Sequence, residues 1–544
     1  MRTGRALLLA RCARRPIATG WALLMISAIA SCGSPPPKVA PHVAKPAVIP
    51  LPPWQARASV AQGFESSDKP AAPVLIKNAT LLTAAGRTIP RGSILLSGGK
   101  IVAVGEREIA APAGAEIIDA AGKFVTPGII DTHSHLGVYP WPSVTAHEDG
   151  NEMTDPLFPH AQSVDAFWPN DPGIERAVAG GVTTIQVLPG SGNLMGGRAV
   201  TLKLRPAQSG REMHFRGAPD GLKMACGENP KRRYGTDKRT PMSRMGNLAL
   251  QRAAFLKAQK LAREWGKWRE SEGRRATKLL EKRAQYETQV EQRARREAWC
   301  RDGGDARCGK WRSEWAKQKL EPPEPTDPIS PPDRDPGLET LAAAMEGRVL
   351  VQVHCYRADD MMAMIALSNE VGFSIRSFHH ALEAYKIRDE LVQRGIAVST
   401  WADWWGFKME AYDGIPENAA LVHESGGRTV IHSDSPEGIQ RLNQEAAKAL
   451  ASGRRAGVAV SEDDAIRWIT INAAWALGVD DETGSLEVGK HADVVLWDKN
   501  PFSVYASAER VWIDGAPRYA RGGPRWSDFE LGQDAAQPPA GGAR

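Results

Sequence analysis

The segment Thr126-Pro127-Gly128-Ile129-Ile130-Asp131-Thr132-His133-Ser134-His135 is an apolar run ending in two histidines separated by one residue. Alternate side chains of an extended strand share a face, so His133 and His135 are expected to project together, where two imidazoles can grip one metal ion. Later β-type runs end in residues of the same kind. His354 closes Val351-Gln352-Val353-His354, His380 closes the run from Ser374, and Asp434 closes His432-Ser433-Asp434. Adjacent residues of a strand face opposite ways, so only one of His379 and His380 is expected at the centre, and His380 is assigned. His432 shares a face with Asp434 and is placed behind it. Imidazole and carboxylate suit zinc first, while manganese, iron and cobalt accept similar sets.

Lys223, in Gly221-Leu222-Lys223-Met224-Ala225, is the odd residue. An ammonium facing cations would be repelled, whereas carbamylation by carbon dioxide would make it an anionic carboxylate able to bridge two metals. The alternatives are a lysine whose head reaches solvent, and Glu228 as the carboxylate instead.

Residues so far apart in sequence meet only if strand ends share one mouth, as in a (β/α)8 barrel of α/β class. The strand candidates are Gly128 to His135, Val182 to Leu188, His214 to Ala218, Leu222 to Ala225, Val349 to Cys355, Ser374 to His380, Ile396 to Thr400 and Thr429 to Asp434. Helical stretches such as Asp359 to Val371 and Pro436 to Ser452 interleave with them, which predicts a closed parallel barrel over 128–480. Short apolar runs with Gly-containing turns at 74–127 and 481–523 predict a small β-sandwich built from both ends. Met245 to Leu320 is dense in Lys, Arg, Glu, Gln and Ala, with Leu261, Trp265 and Trp268 at helical spacing, so a helical hairpin is expected inside an insertion at 245–336.

The first 31 residues read as an export signal: five arginines, an apolar stretch from Trp21 to Ala30, then Ile29-Ala30-Ser31-Cys32-Gly33. About ten apolar residues are too few to cross a bilayer core. Removing those five arginines from the formal charge of +6 leaves about +1, so no field remains to favour nucleic acid. Segment 32–73 carries many prolines and is expected to be an extended, uncollapsed spacer, and 524–544 a disordered tail. Of six cysteines, Cys12 leaves with the signal. Cys300 and Cys308 bracket a turn-rich loop that an oxidising compartment would close as a disulfide. Cys226 and Cys355 are expected to be small buried hydrophobes.

Together, Pro127 to His135, Gly221-Leu222-Lys223, Val353-His354, His380, Ser433-Asp434 and the late Gly484-Ser485-Leu486 to Ala492-Asp493 resemble the amidohydrolase superfamily, nearest to bacterial imidazolonepropionase-related amidohydrolases of the binuclear type. The resemblance covers Val74 to Gly515 apart from the insertion. It implies two divalent metal ions: His133, His135 and Asp434 for the first, His354 and His380 for the second, and carbamylated Lys223 as bridge. It implies hydrolysis of an amide, cyclic amide or peptide-like C–N bond by a metal-bridging hydroxide, Asp434 taking the proton and giving it to the leaving amine. Tyr356, Arg357, Trp404, Trp405, Lys408 and Tyr412 are placed over the mouth as substrate contacts, Arg357 or Lys408 pairing with a carboxylate. True imidazolonepropionases use one metal and lack the bridging lysine, so Lys223 and His380 argue against that activity. The rivals are a mononuclear deaminase or cyclic-amide hydrolase, and a non-catalytic envelope lipoprotein. Ile29 to Gly33 resembles a lipobox, which implies lipidation of Cys32, anchoring to the cell envelope with outer-membrane sorting, and no other membrane contact. Small-molecule or peptide-like substrates are expected as partners, with oligomers open.

Overall fold

Valine-, isoleucine- and threonine-rich runs build the central sheet of the computed structural model, which describes residues 36–56, 59, 61, 71–404 and 406–523. Its strands are β1 (Ile129–Ser134), β2 (Val182–Val187), β3 (Met195–Lys203), β4 (Gly221–Ala225), β5 (Leu350–Cys355), β6 (Ile375–His380), β7 (Ala397–Thr400) and β8 (Thr429–Ile431). They are hydrogen-bonded in that order. Just past β8, the Asp434 N–H donates to the His133 carbonyl at 3.0 Å, which draws the last strand against the first and nearly closes the sheet into a barrel. Every residue of β1, β2, β4, β7 and β8 is buried, as strands covered on both faces require.

The third strand differs from expectation. His214 to Ala218 contributes only an isolated bridge from His214 to Leu202, and Met195–Lys203 takes the position, antiparallel to both neighbours. Only residues 188–194 join β2 to β3, whereas a parallel return needs a crossover of about a dozen residues or more. Gly196, Gly197 and Arg198 inside the strand hid it from an apolar-run search.

Segments on both sides of the barrel, within 74–127 and 494–520, enter one further eight-stranded sheet. Phe124–Pro127 pairs parallel to Val74–Leu81 on one side and antiparallel to Val494–Trp497 on the other. A buried ionic knot ties this sheet to β3. The Lys203 ammonium, 2 % exposed, reaches both Asp493 oxygens at 3.0 Å, His491 Nδ1 at 2.7 Å, and Asp514. His491, Asp493 and Asp514 have metal-ligand spacing, but Lys203 already supplies their counter-charge. Breaking such a buried pair from one side costs about 3–5 kcal/mol, which gives the late His491-Ala492-Asp493 motif a structural purpose.

The insertion begins later than the sequence indicates. Helix Arg244–Arg301 is one 58-residue element. Its first turns bury Phe255, Ala258, Leu261 and Trp265 in the same apolar core as Leu222 and Met224 of β4 and Val351 and Val353 of β5, so this part serves as a helix of the barrel body. The described residues 36–49 and 271–329 form a separate compact unit. Within it, Cys300 is bonded to Cys308 (S–S 2.04 Å) where the helix turns into Arg307–Lys317. The described part of the proline-rich segment is not an uncollapsed spacer. His42 contacts Thr288 and Glu291 at 2.8 and 2.9 Å inside that unit. Trp54, 7 % exposed, packs edge-on against Trp265 in the barrel-containing unit and donates to Glu346. Prolines extend a chain without preventing it from lying on an apolar face. Among the described residues no helix is long and apolar enough to cross a membrane. The expected export signal, Cys12, Cys32, Trp405 and the expected disordered tail at 524–544 lie outside the described residues.

Candidate metal centre

Alternation along β1 sets the first side chains. Asp131, His133 and His135 share its inner face, and the His133 and His135 rings stand 5.1 Å apart and nearly perpendicular. Asp131, fully buried, accepts from the backbone N–H of both His133 and Ser433 at 3.1 Å and from the Ser433 hydroxyl, stitching β1 to the segment after β8. Burial pushes its carboxyl up to about 7 against those hydrogen bonds. Sequence reading passed over it, although the 131, 133, 135 spacing carried the signal.

Each of three histidines has Nδ1 held by a neighbour. His133 Nδ1 meets His379 Nδ1 at 2.9 Å, His135 Nδ1 meets the Leu188 carbonyl at 2.8 Å, and His354 Nδ1 meets the Ser191 hydroxyl at 2.8 Å. The Nε2 atoms are thereby presented inward, the arrangement that metal-ligating histidines adopt. His133 and His135 Nε2 lie 3.5 and 3.1 Å from Asp434 Oδ1, and His380 Nε2 lies 3.9 Å from Oδ2. His354 Nε2, both ring nitrogens of His380 and His432 Nδ1 are buried without a hydrogen-bond partner. A buried polar atom left unpaired is costly and calls for an explanation. Several of them converging on one point fit a bound cation.

Ligand atoms gather in two trios sharing His133: His133, His135 and Asp434, and His133, His380 and His432. Lys223, with no exposed surface, brings Nζ to 3.3 Å from His133 Nε2. The His354 ring lies 4.5 Å from that of His380. All six expected ligands are thus brought together, and His432 joins them in the tight group rather than standing behind. Glu228 is instead beside Lys408, at 3.8 Å. Burial first, then mutual repulsion with neighbours, holds the imidazoles of His133, His354 and His380 well below their usual range, so they are neutral donors. Burial also pushes the Lys223 amine down to about 7, with Asp434 opposing. For Asp434 burial acts upward, but the hydrogen bond and charge of His135, helped by His432 and Lys223, outweigh it and keep the carboxyl below its usual value.

Strand alternation fails where it matters most. His380 and Ala381 have φ of +69° and +41°, and Asp434 has φ of +49°, left-handed backbone that non-glycine residues adopt at a cost and that clusters at functional sites. Because the chain turns there, His379 and His380 do not face opposite ways: their rings both lie 4.8 Å from that of His133. His379 Nε2 is anchored by Gln352 Oε1 at 2.9 Å, so Gln352 and His379 form a relay that orients His133.

Cys226 and Cys355 are also corrected. They are bonded to each other across the ends of β4 and β5, with Cα atoms 5.3 Å apart, because the parallel register that pairs Ala225 with His354 sets the following residues opposite. This bridge fastens together the strands carrying Lys223 and His354.

Of the expected substrate contacts, Tyr356 is buried and stacked on His380 at 5.0 Å, with Lys408 Nζ 3.8 Å over its ring. Lys408 is held by Asn229 at 2.9 Å and sits 3.7 Å from Glu410. Trp404 stacks at 5.2 Å on Trp401, a residue not singled out from sequence, and Trp401 stacks at 4.3 Å on His380. Arg357 is engaged by Asp359 at 2.6 Å, outside the cluster, and Tyr412 is largely exposed.

A nearly closed barrel sheet brings histidines, an aspartate and a lysine together at one mouth, a donor set compatible with a divalent metal. Comparison narrows the reading. Residues 337–519 match a model described as Amidohydrolase family. A solved amidohydrolase from Thermotoga maritima MSB8 is 32 % identical, with a TM-score of 0.65 over 82 % of this chain and 100 % of that one. "Amidohydrolase tasK" of Hapsidospora irregularis is 32 % identical over 82 % of this chain, which spans 43 % of that protein's length. An N-substituted formamide deformylase from Arthrobacter pascens is 33 % identical over 22 % of this chain and 24 % of its own length. The chain belongs to the amidohydrolase superfamily.

Proposed function

We propose that the protein hydrolyses C–N bonds of amide, cyclic amide or peptide-like substrates at a centre of two divalent ions, zinc first among them. The observation that carries this reading is the convergence of unpartnered imidazole nitrogens and the buried Lys223 amine around His133. His133, His135 and Asp434 would hold one ion and His354 and His380 the other, and Lys223, as a carbamate, would contribute an anionic ligand, while His432 stands in the same cluster of donors. When bound, the ions supply Lewis acidity for the scissile carbonyl and make water acidic enough to react near neutral pH. Asp434, ionised and beside His135, accepts the proton of the attacking water on a carboxylate oxygen and delivers it to the departing amine. Tyr356 and the Trp401–Trp404 stack wall off solvent on one side of His380.

This architecture is interpreted as a TIM barrel with one strand reversed, flanked by a small sandwich from the two chain ends, in an imidazolonepropionase-related but binuclear member. Metal analysis of the purified protein should give two ions per chain, and dipeptides, N-acyl amino acids and lactams should include a substrate. One ion per chain would favour the mononuclear deaminase or cyclic-amide hydrolase reading, and no turnover in a fully loaded protein would count against both.

We further propose export and lipid anchoring at Cys32 in the cell envelope, facing the periplasm from the outer membrane. Palmitate labelling is expected in the full chain and should vanish in Cys32→Ala. Labelling that survives the substitution overturns the anchor.

A further inference from the structure

Three buried hydrogen bonds run in series to His133. Gln352 Nε2 donates to the Ala476 carbonyl at 3.0 Å, Gln352 Oε1 meets His379 Nε2 at 2.9 Å, and His379 Nδ1 meets His133 Nδ1 at 2.9 Å. Gln352, His379 and His133 have no exposed surface. Ala476 lies in the last turn of the helix Ile471–Leu477, where backbone carbonyls have no partner inside the helix.

Each bond fixes the next. A carbonyl only accepts, so Gln352 turns its amide nitrogen to Ala476 and its oxygen to His379. That oxygen also only accepts, so His379 carries its hydrogen on Nε2. A second hydrogen would make the ring a cation with no water to solvate it, which full burial opposes, so His379 Nδ1 is bare. The hydrogen of the next contact therefore belongs to His133 Nδ1, and His133 Nε2 keeps its lone pair toward the cluster, where the Lys223 amine faces it at 3.3 Å. The other two histidines held at Nδ1 are set differently. His135 Nδ1 meets the Leu188 carbonyl directly, and His354 Nδ1 meets the Ser191 hydroxyl, which donates or accepts. His133 has a second imidazole there, a partner that fits either way round until Gln352 decides it.

We propose that Gln352 and His379 are positioning residues: they pass the one-way polarity of the Ala476 carbonyl along the series to His133 and fix its Nε2 as a lone-pair donor to a divalent cation. The proposal rests on the metal-centre reading above and adds what sets the affinity of the ion that His133 would hold. With the Gln352 oxygen removed, His379 is free to carry its hydrogen on Nδ1, and His133 must then carry its own on Nε2, in place of the cation.

Two measurements on the full chain test this. In metal-stripped protein labelled with 15N-histidine, nitrogen chemical shifts separate protonated from bare ring nitrogens. His133, assigned by the loss of its signals in His133→Gln, should be protonated at Nδ1 and bare at Nε2. Competition with a chromophoric chelator then gives zinc affinity. Gln352→Leu should weaken it about 10–100-fold, the range for losing an outer partner of a metal ligand, and should shift hydrogen onto His133 Nε2. Gln352→Glu keeps an acceptor oxygen for His379 and loses the amide donor to Ala476, so it should recover most of the affinity even where its melting temperature falls as far as that of Gln352→Leu. A purely structural Gln352 would leave both variants equally weak, and that result overturns the proposal, as does unchanged zinc affinity in Gln352→Leu or a native His133 bare at Nδ1. If Gln352→Leu does not fold, the nitrogen shifts of the native chain decide. A native chain with the expected hydrogens that binds no divalent ion would overturn the metal-centre reading with the hydrogen assignment upheld.

Discussion

Lys223→Ala should lose the second metal ion and nearly all turnover together, and acetate or propionate should restore part of both. The expectation follows from where the side chain ends. Nζ is sealed from solvent and lies 3.3 Å from His133 Nε2, and burial pushes the amine down to about 7, so a large fraction is neutral at physiological pH. A neutral amine is the form that reacts with carbon dioxide. Its lone pair forms the N–C bond, one C=O π pair moves to oxygen, and an N–H proton leaves to solvent, giving an anionic carbamate. Loss of an outer partner of a metal ligand costs roughly 10–100-fold in affinity or activity, and loss of a bridging ligand should exceed that. Alanine leaves space for a short carboxylic acid, which supplies the missing oxygens. Lys223→Met fills the same space without the amine, so it should be equally inactive and refuse rescue. Metal content by elemental analysis, with turnover at rising acetate, decides the matter. Two ions per chain in Lys223→Ala would overturn the bridge.

How much of this site can be read from sequence depends on backbone regularity. His133 and His135 follow from the two-residue period of a strand, which survives in their placement although the pairing of β1 with β2 is irregular between Asp131 and Ser134. His379 cannot be read that way, because the left-handed turn at His380 and Ala381 defeats alternation one residue before it would have separated the two rings. Asp434, whose φ of +49° lies just beyond β8, is legible from its place at the end of a run and from the family motif, not from alternation. The helix–strand rhythm conveys a barrel, yet it misses β3: a strand with two glycines and an arginine, entered through a short loop, satisfies hydrogen bonding without looking apolar or parallel. Pairwise facts are the least visible. Ser191 against His354 and Cys226 against Cys355 bring together residues more than a hundred apart, and register between strands so far apart in sequence is set by packing across the barrel rather than by a short turn that marks itself in the sequence.

Asp434→Asn should lower kcat by about 10²–10⁴-fold, the range for removing a positioned acid–base group, while leaving the fold and most of the first metal site intact. The backbone explains why this substitution isolates the chemistry. Asp434 sits at φ +49°, a conformation that asparagine tolerates and most residues do not. Its N–H keeps its bond to the His133 carbonyl whatever the side chain. Asparagine retains one carbonyl oxygen that can stay beside His135, now at 3.1 Å from the carboxylate, but has no site of appreciable basicity for the proton. Asp434→Ala, by contrast, would combine backbone strain with loss of both oxygens and should lose metal as well as turnover. The separating measurement is kcat and metal content together. If Asp434→Asn holds its metal and still turns over within tenfold of the native protein, the proton travels by another group, and the fully buried His432, whose Nδ1 has no partner, is the next to test.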